Sequence, residues 1–404
     1  MMSDQFVYVG KEELDLITEV VKSQELWRGL ADRMVAKFED AFAAHNSRKY
    51  VHANSSGTCA NEAAVAALGL EPGDEVIVTP CSFIASSIAP VGLGLVPVFA
   101  DVDPRNFVLT GETIEAAITP RAKAVMVVHL WGQPADMGPI LAVAKKHGLK
   151  VIEDCAQCYD GYWQGKITGS IGDVACWSLQ QSKHLTSGEG GIMATDDPEM
   201  YKRMVLFSNC GMPWYRYGLE MDKAQPVGDL ITRGHFGFGH NYRMSELPGA
   251  AALAQLGKIE YLKARRQQIA DIIETTLQGT PGLLLARPYP DTVPNYWAYP
   301  VFVDPATGFK AADVCKWVSE AGAGVGRYAE INYLEAVYQQ MEARRQTSVG
   351  VALPDYVHYK QGVAPMAEEA ATRLLMFGVM PWNDDEGLKR NCEVLRQVME
   401  EKAG

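Results

Sequence analysis

The apolar positions of the chain fall into two alternating rhythms. Short runs rich in β-branched residues lie at 50–53, 76–78, 96–99, 124–128 and 151–154. Between them, at 59–68, 84–93, 114–118 and 137–147, apolar residues recur every three or four positions. The first rhythm predicts strands buried on both faces and the second predicts amphipathic helices. Their alternation predicts a mostly parallel sheet covered by helices on both sides, an α/β fold. Two further strands, 174–177 and 192–195, flank a polar, glycine-rich turn, and a helix follows at 200–207. Ahead of the first strand, Leu14, Ile17, Val20 and Val21 mark a helix over 11–22, and Leu30, Met34, Phe38 and Phe42 mark another over 30–44. The loop between them, 25–29, carries Trp27 and Arg28, which either face a ligand or pack as structural residues.

Segment 209–238 has no periodicity and is rich in glycine, proline and aromatics (Pro213, Trp214, Tyr215, Tyr217, Pro226, Gly234, Gly237). Loops this long are usually functional or mobile. Ser245 and Glu246 suit the first turn of a helix predicted over 247–276. A proline-rich connection (281–294), a strand (296–303), a helix (310–321), a glycine turn (322–328) and helices over 365–376 and 385–402 follow. This mixture predicts a smaller α+β unit, with the border in the long helix: a large domain over 1–260 and a small C-terminal domain over 261–404.

Ligands of open parallel sheets collect at the carboxyl ends of the strands. Strand 174–177 leads through Ser178 to Lys183 and then to Ser187-Gly188-Glu189-Gly190-Gly191, whose glycines permit positive φ and close backbone approach. A lysine amine forms a Schiff base with a carbonyl once its pKa is lowered or the imine is stabilised; otherwise Lys183 is a surface residue of a hairpin. After strand 50–53, Ser56, Gly57 and Thr58 open a helix with free N–H groups, hydroxyls and the positive dipole end, a combination that binds phosphate. Plain N-capping needs only one such residue. Asp154 ends an apolar strand, and a buried carboxylate requires a positive partner. A protonated pyridine nitrogen would serve, as would a basic side chain; an N-cap is the remaining role. Phe83, Trp131 and Gln157 also fall at or near strand ends. Cys155 and Cys158 form a C-x-x-C, but no second pair or ligand-spaced histidine follows, so no metal is expected and a redox pair is the lesser reading.

Bulk composition narrows the partners. The net charge of −12, without a lysine/arginine tract, argues against nucleic acid or an anionic membrane. No apolar run reaches the roughly 18 residues of a membrane span. The N-terminus has no signal-peptide core. The eight cysteines are scattered, several inside apolar runs, which fits reduced thiols, no disulfides and a cytoplasmic location.

Taken together, Ser56-Gly57-Thr58, Phe83, Asp154-Cys155-Ala156-Gln157, Ser178 with Lys183, Gly188-Glu189-Gly190-Gly191 and Asn241-Tyr242-Arg243-Met244-Ser245-Glu246-Leu247 resemble the DegT/StrS-type sugar aminotransferases, fold-type I enzymes that use pyridoxal 5′-phosphate (PLP). The match runs through nearly the whole chain. The resemblance implies that Lys183 carries the cofactor as a Schiff base and moves the proton, and that Asp154 keeps the pyridinium nitrogen protonated. It implies that Gln157 bonds the phenolic oxygen and Phe83 stacks on the ring. Ser56, Gly57, Thr58 and Ser178 would hold the phosphate. Asn241 would reach the cofactor of a partner subunit, so a homodimer with shared active sites is expected. Related dehydratases carry histidine in place of the lysine; Lys183 therefore favours transamination. The expected reaction moves an amino group from glutamine or glutamate to a keto-sugar or keto-cyclitol. The run Ser178–Lys183 looks more like the aminocyclitol branch (scyllo-inosose-like acceptors), and a nucleotide-linked keto-sugar is the alternative. Trp27, Trp131, His184 and Arg243 are the candidate substrate contacts, Arg243 for the donor carboxylate or for a helix-start salt bridge. A non-catalytic PLP-binding regulator and a thiol-redox protein are the readings from other classes.

Overall fold

The computed structural model describes residues 8–28, 32–221, 223, 234–328 and 330–404. Gly29, Leu30 and Pro226 of the segments above lie outside them. In chain order the strands are β1 (Tyr50–Asn54), β2 (Glu75–Val78), β3 (Val96–Phe99), β4 (Ala122–Val128), β5 (Lys150–Asp154), β6 (Tyr162–Trp163), β7 (Lys166–Ile167), β8 (Val174–Ser178), β9 (Gly191–Thr195), β10 (Leu283–Leu285), β11 (Thr292–Val293), β12 (Ala298–Val303), β13 (Gly326–Arg327) and β14 (Leu374–Gly378). The α-helices are α1 (Lys11–Ser23), α2 (Met34–His45), α3 (Gly57–Ala67), α4 (Ala85–Gly92), α5 (Gly111–Ala116), α6 (Met137–His147), α7 (Pro198–Ser208), α8 (Glu246–Gly257), α9 (Ile259–Leu277), α10 (Ala311–Glu320), α11 (Ala336–Arg344), α12 (Pro365–Ala371) and α13 (Asp385–Ala403).

Seven strands form the central sheet in the order β1-β9-β8-β5-β4-β2-β3. β8, β5, β4, β2 and β3 are parallel, and β9 is antiparallel to both of its neighbours. β1 therefore runs with the parallel set. The carboxyl ends of β1, β2, β5 and β8 share one edge, and β9 starts from that same edge. The helices between strands carry readable start and stop signals. α6 begins at Asp136, whose carboxylate accepts the Gly138 N–H, and ends on Lys145, Lys146 and His147 with Gly148 in the left-handed C-cap conformation.

The second sheet, β10-β12-β14-β13, is antiparallel throughout. Ile269, Ile273 and Leu277 of α9, Val314 and Val318 of α10, and Leu395 and Met399 of α13 share one core cluster with its strands. Leu262, one or two turns earlier on α9, instead shares a cluster with Trp177 and Ala194 of the central sheet. Tyr333, Tyr338 and Tyr359 surround Phe99 at ring distances of 5.2, 5.2 and 5.8 Å, which ties the C-terminal segment to the edge of the central sheet.

Four expectations change. The helix over 247–276 is two helices, because the chain breaks at Lys258 (φ −117°, ψ 20°) after Gly257. Glycine weakens helix continuity, and Lys258 Nζ turns back to Glu13 of α1 at 2.7 Å. The helix over 365–376 ends at Ala371, and Leu374–Gly378 becomes the strand β14, paired on both sides. A fully apolar run carries no periodicity to separate the two states, so pairing decides it. The proline-rich connection contains β10 and β11, and α11 lies in a stretch for which no element is predicted.

Candidate active site

The shared edge of the central sheet opens into a cavity of about 570 Å³. One end is the N-terminus of α3. Ser56 caps that helix by accepting the Cys59 N–H at 3.1 Å. The next two residues, Gly57 and Thr58, line the cavity in the first turn, where backbone N–H groups have no intrahelical acceptor. Ser178, the last residue of β8, stands against them so closely that a Cβ on Gly57 would meet the Ser178 Cβ at 2.6 Å. The fit from below is equally tight. A Cβ on Gly191, the first residue of β9, would lie 2.1 Å from the Ser56 carbonyl oxygen. The glycine requirement there is close approach, whereas Gly188 (φ 83°) supplies the left-handed turn.

Asp154 ends β5 inside the cavity and is buried. Its Oδ2 accepts from Ser86 Oγ at 2.7 Å and Asn61 Nδ2 at 3.1 Å, and its Oδ1 accepts from the Ala156 N–H at 3.0 Å. Three donors fix the orientation of the carboxylate. Glu153, one residue earlier, points to the other face of the sheet as strand alternation requires. There it takes the backbone N–H groups of Gly169, Ile171 and Gly172 and faces His129 Nε2 at 3.0 Å. Burial alone would raise the Glu153 pKa; His129 and Arg48 hold it below the ordinary value. His129, Glu153 and Cys155 bring their ligand atoms within 4.8 Å of one another. His129 Nδ1 accepts the Ala135 N–H, so hydrogen bonds already engage both the imidazole and the Glu153 carboxylate.

Lys183 reaches the same cavity, with Nζ 4.5 Å from the centre of the Trp297 ring. Burial pushes its pKa from the ordinary 10.5 down to about 8; the Asp154 carboxylate opposes the shift and the Arg266 guanidinium adds to it. At pH 7 roughly a tenth of such amines are neutral, against fewer than about one in a thousand at the ordinary value. The arrangement thus offers an anion cradle, a nucleophilic amine and a carboxylate for a protonated ring nitrogen around one space. Gln157 lines this space, and its Oε1 accepts the Trp131 N–H at 3.1 Å, which leaves the amide NH₂ as a donor. Phe83 also lines it and is exposed.

The structure separates the remaining candidates. Trp131 is buried and packs on Phe107 and Tyr328; it serves the site through its backbone, not its ring. His184 points away from the cavity, buried, with Nε2 2.8 Å from the Asn295 carbonyl. Neither side chain lines the cavity of its own subunit. Trp27 is exposed and lies against Trp214 at 5.8 Å. Arg243 covers the other partner of that pair, 5.8 Å from the Trp214 ring, and bonds Asn209 Oδ1 at 2.7 Å. Exposed Asn241 pairs with Asn209 through the backbone. Asn241, Arg243 and Trp27 thus cluster beside the loop after α7, outside this subunit's cavity. The described residues of 209–238 likewise do not line the cavity; Arg216 and Tyr217 anchor that segment to Glu39 and to the Val51 backbone. Cys155 and Cys158 are buried, and burial pushes both thiols up, Cys158 to about 12, which disfavours thiolate chemistry.

Asn61, Ser86, Trp297 and Tyr328 line the cavity without having been singled out in the sequence. Asn61 and Ser86 carry a weak signal, as polar residues in apolar helical stretches. Trp297 and Tyr328 have none, since they come from beyond residue 260.

Comparison with known proteins agrees with this geometry. The model of the DegT/DnrJ/EryC1/StrS aminotransferase family matches residues 7–395. The spore coat polysaccharide biosynthesis protein SpsC of Bacillus subtilis is 33% identical over 97% of this chain and 95% of its own. L-glutamine:2-deoxy-scyllo-inosose aminotransferase of Streptomyces kanamyceticus is 32% identical (96% and 92%), and GDP-perosamine synthase of Caulobacter vibrioides is 38% identical (66% and 67%). Among solved structures, an aminotransferase from Psychrobacter cryohalolentis superposes with a TM-score of 0.84 at 28% identity, covering 99% of both chains. NtdA from Bacillus subtilis with bound cofactor PMP superposes with a TM-score of 0.78 at 26% identity, covering 97% of this chain and 83% of its own. Fold, site and comparisons converge: the chain belongs to the DegT/DnrJ/EryC1/StrS aminotransferase family and is an aminotransferase of fold-type I.

Proposed function

We propose that this chain binds PLP and moves an amino group from glutamine or glutamate to a keto-sugar or keto-cyclitol. The observation that carries the reading is the single cavity onto which Lys183, Asp154 and the N-terminus of α3 all open. Bound there, PLP supplies an electron sink for the carbon that loses its proton. The chain's own residues do the rest. Gly57, Thr58, Ser56 and Ser178 would hold the phosphate. Asp154, fixed by Ser86, Asn61 and Ala156, would keep a ring nitrogen protonated. Gln157 would donate to the phenolic oxygen, and Phe83 would cover one ring face. Lys183 would bind the cofactor and, when released, take and return the proton at the substrate carbon. The domain division that suits this role lies on α9 near residue 260.

The reading extends to a homodimer. Asn241, Arg243 and Trp27, nominated separately, lie together away from their own cavity, as residues that serve a partner's site would. For the acceptor, the relative named for 2-deoxy-scyllo-inosose supports a keto-cyclitol. A nucleotide-linked keto-sugar is the second reading, favoured by the relative named GDP-perosamine synthase. No described helix is long and apolar enough to cross a membrane. The test is an absorbance titration of the PLP-loaded protein with L-glutamine and L-glutamate separately. Loss of the visible band with either donor supports transamination. A band unchanged by both would overturn the donor assignment.

A further inference from the structure

Arg266, on α9, ends beneath the Lys183 turn with no exposed surface. Its Nη2 donates to the Lys183 carbonyl at 2.8 Å and approaches the Ser182 carbonyl at 3.5 Å; its Nη1 donates to the Val379 carbonyl, just past β14. All three of these partners are backbone carbonyls and none is a carboxylate. Burial lowers its own pKa to about 10, yet at neutral pH it remains a cation without a carboxylate. A buried charge without a counter-charge costs stability, so packing alone gives no reason for a guanidinium here. The carbonyls it holds belong to a set. Tyr8 Oη donates to the Gln181 and Lys183 carbonyls at 2.9 and 3.1 Å, and Trp297 Nε1 donates to the Ser182 carbonyl at 2.7 Å. Donors from positions 8, 266 and 297 thus take the carbonyls of three consecutive residues, 181–183.

We infer that Arg266 is a positioning residue for the reactive amine: through the Ser182 and Lys183 carbonyls it fixes the turn that aims Lys183 into the cavity, and at neutral pH it keeps a positive charge beneath that turn. The inference rests on Lys183 being the reactive amine. It is tested without cofactor or substrate, so it can fail while the aminotransferase reading stands. The charged groups that shift the Lys183 amine are Asp154, whose carboxylate favours protonation, and Arg266 from below, which disfavours it; the Trp297 ring faces the amine, and Glu189, Glu330 and Tyr328 line the same cavity. Removing Arg266 therefore moves the amine's titration upward.

The experiment measures acetylation of Lys183 by limiting acetic anhydride across pH, in the full-length cofactor-free chain, read by peptide mass spectrometry. The wild-type midpoint is expected near 8. Arg266→Gln, which keeps amide donors but no charge, should raise it by at least about half a unit, roughly threefold less free amine at neutral pH. Arg266→Lys, which keeps a cation, should stay closer to wild type than Arg266→Gln does. A folded Arg266→Gln protein with an unchanged midpoint, or equal shifts in both variants, overturns the inference. Should Arg266→Gln not fold, Arg266→Met, which removes the charge and keeps the length, decides in its place: a midpoint raised by at least about half a unit supports the inference, and an unchanged midpoint overturns it.

Discussion

At the scale of single residues, the site depends on an amine whose protonation the fold controls, Lys183, and on a carboxylate the fold holds in place, Asp154. The Lys183 pKa is lower in the folded chain than in the unfolded one, so between about 8 and 10.5 the unfolded chain binds more protons and stability rises with pH. Lys183→Met should therefore abolish transamination and stabilise the cofactor-free protein at pH 7. The gain should be on the order of 2 kcal/mol for a partly screened amine, and it should shrink as pH rises from 8 to 10.5. Denaturant melts of both proteins across that range check the sign. Asp154→Asn should lower kcat by about a hundredfold or more, and Ser86→Ala by roughly tenfold, because each weakens the charge held against the ring nitrogen. Steady-state kinetics at saturating donor measure both. That Asp154 and Lys183 come to one cavity was legible in the sequence because their signals are local: a carboxylate closing an apolar strand, and a lysine between two strands beside clustered glycines. The residues that hold them were not. Ser86 and Asn61 meet Asp154 from 68 and 93 positions away, and Arg266 meets Lys183 from 83. His184 and Trp131 misled for the opposite reason. They neighbour the site in sequence, but the backbone turns their side chains into the interior.

Among elements, the site is a meeting of helix N-terminus, strand ends and one antiparallel strand. β9 begins where β1 ends, and Gly191 lets it pass under Ser56. Gly57→Ala would press a methyl group onto Ser178, shifting the anion cradle, and should weaken cofactor binding by about tenfold or more. Equilibrium dialysis of PLP against the variant and the wild type would show it. The alternating strands and helices of the first two hundred residues were readable because parallel sheets impose short apolar runs. β14 was not, since Leu374, Leu375, Met376 and Phe377 suit a buried helix as well as a central strand until β12 and β13 pair with it.

For the whole molecule, the account requires two chains. Asn241 is exposed and does not line its own subunit's cavity, so on the proposed reading its cofactor contact would be made across an interface. Asn241→Ala and Lys183→Met proteins should each be nearly inactive alone. Mixed and allowed to exchange subunits, they should recover about a quarter of wild-type activity, since half the dimers then hold one intact site. No recovery, with exchange confirmed by mass, would show that Asn241 serves its own subunit. This level is the least legible in the sequence, because an interface is written in surface residues that share no period.

The central claim is that Lys183 is the residue that carries PLP. Borohydride reduction of the PLP-loaded protein, followed by peptide mapping, tests it most directly. The account predicts one pyridoxyl adduct per chain, on the peptide that contains Lys183, and none in Lys183→Met. An adduct on another lysine, or full labelling of the Lys183→Met protein, would contradict it.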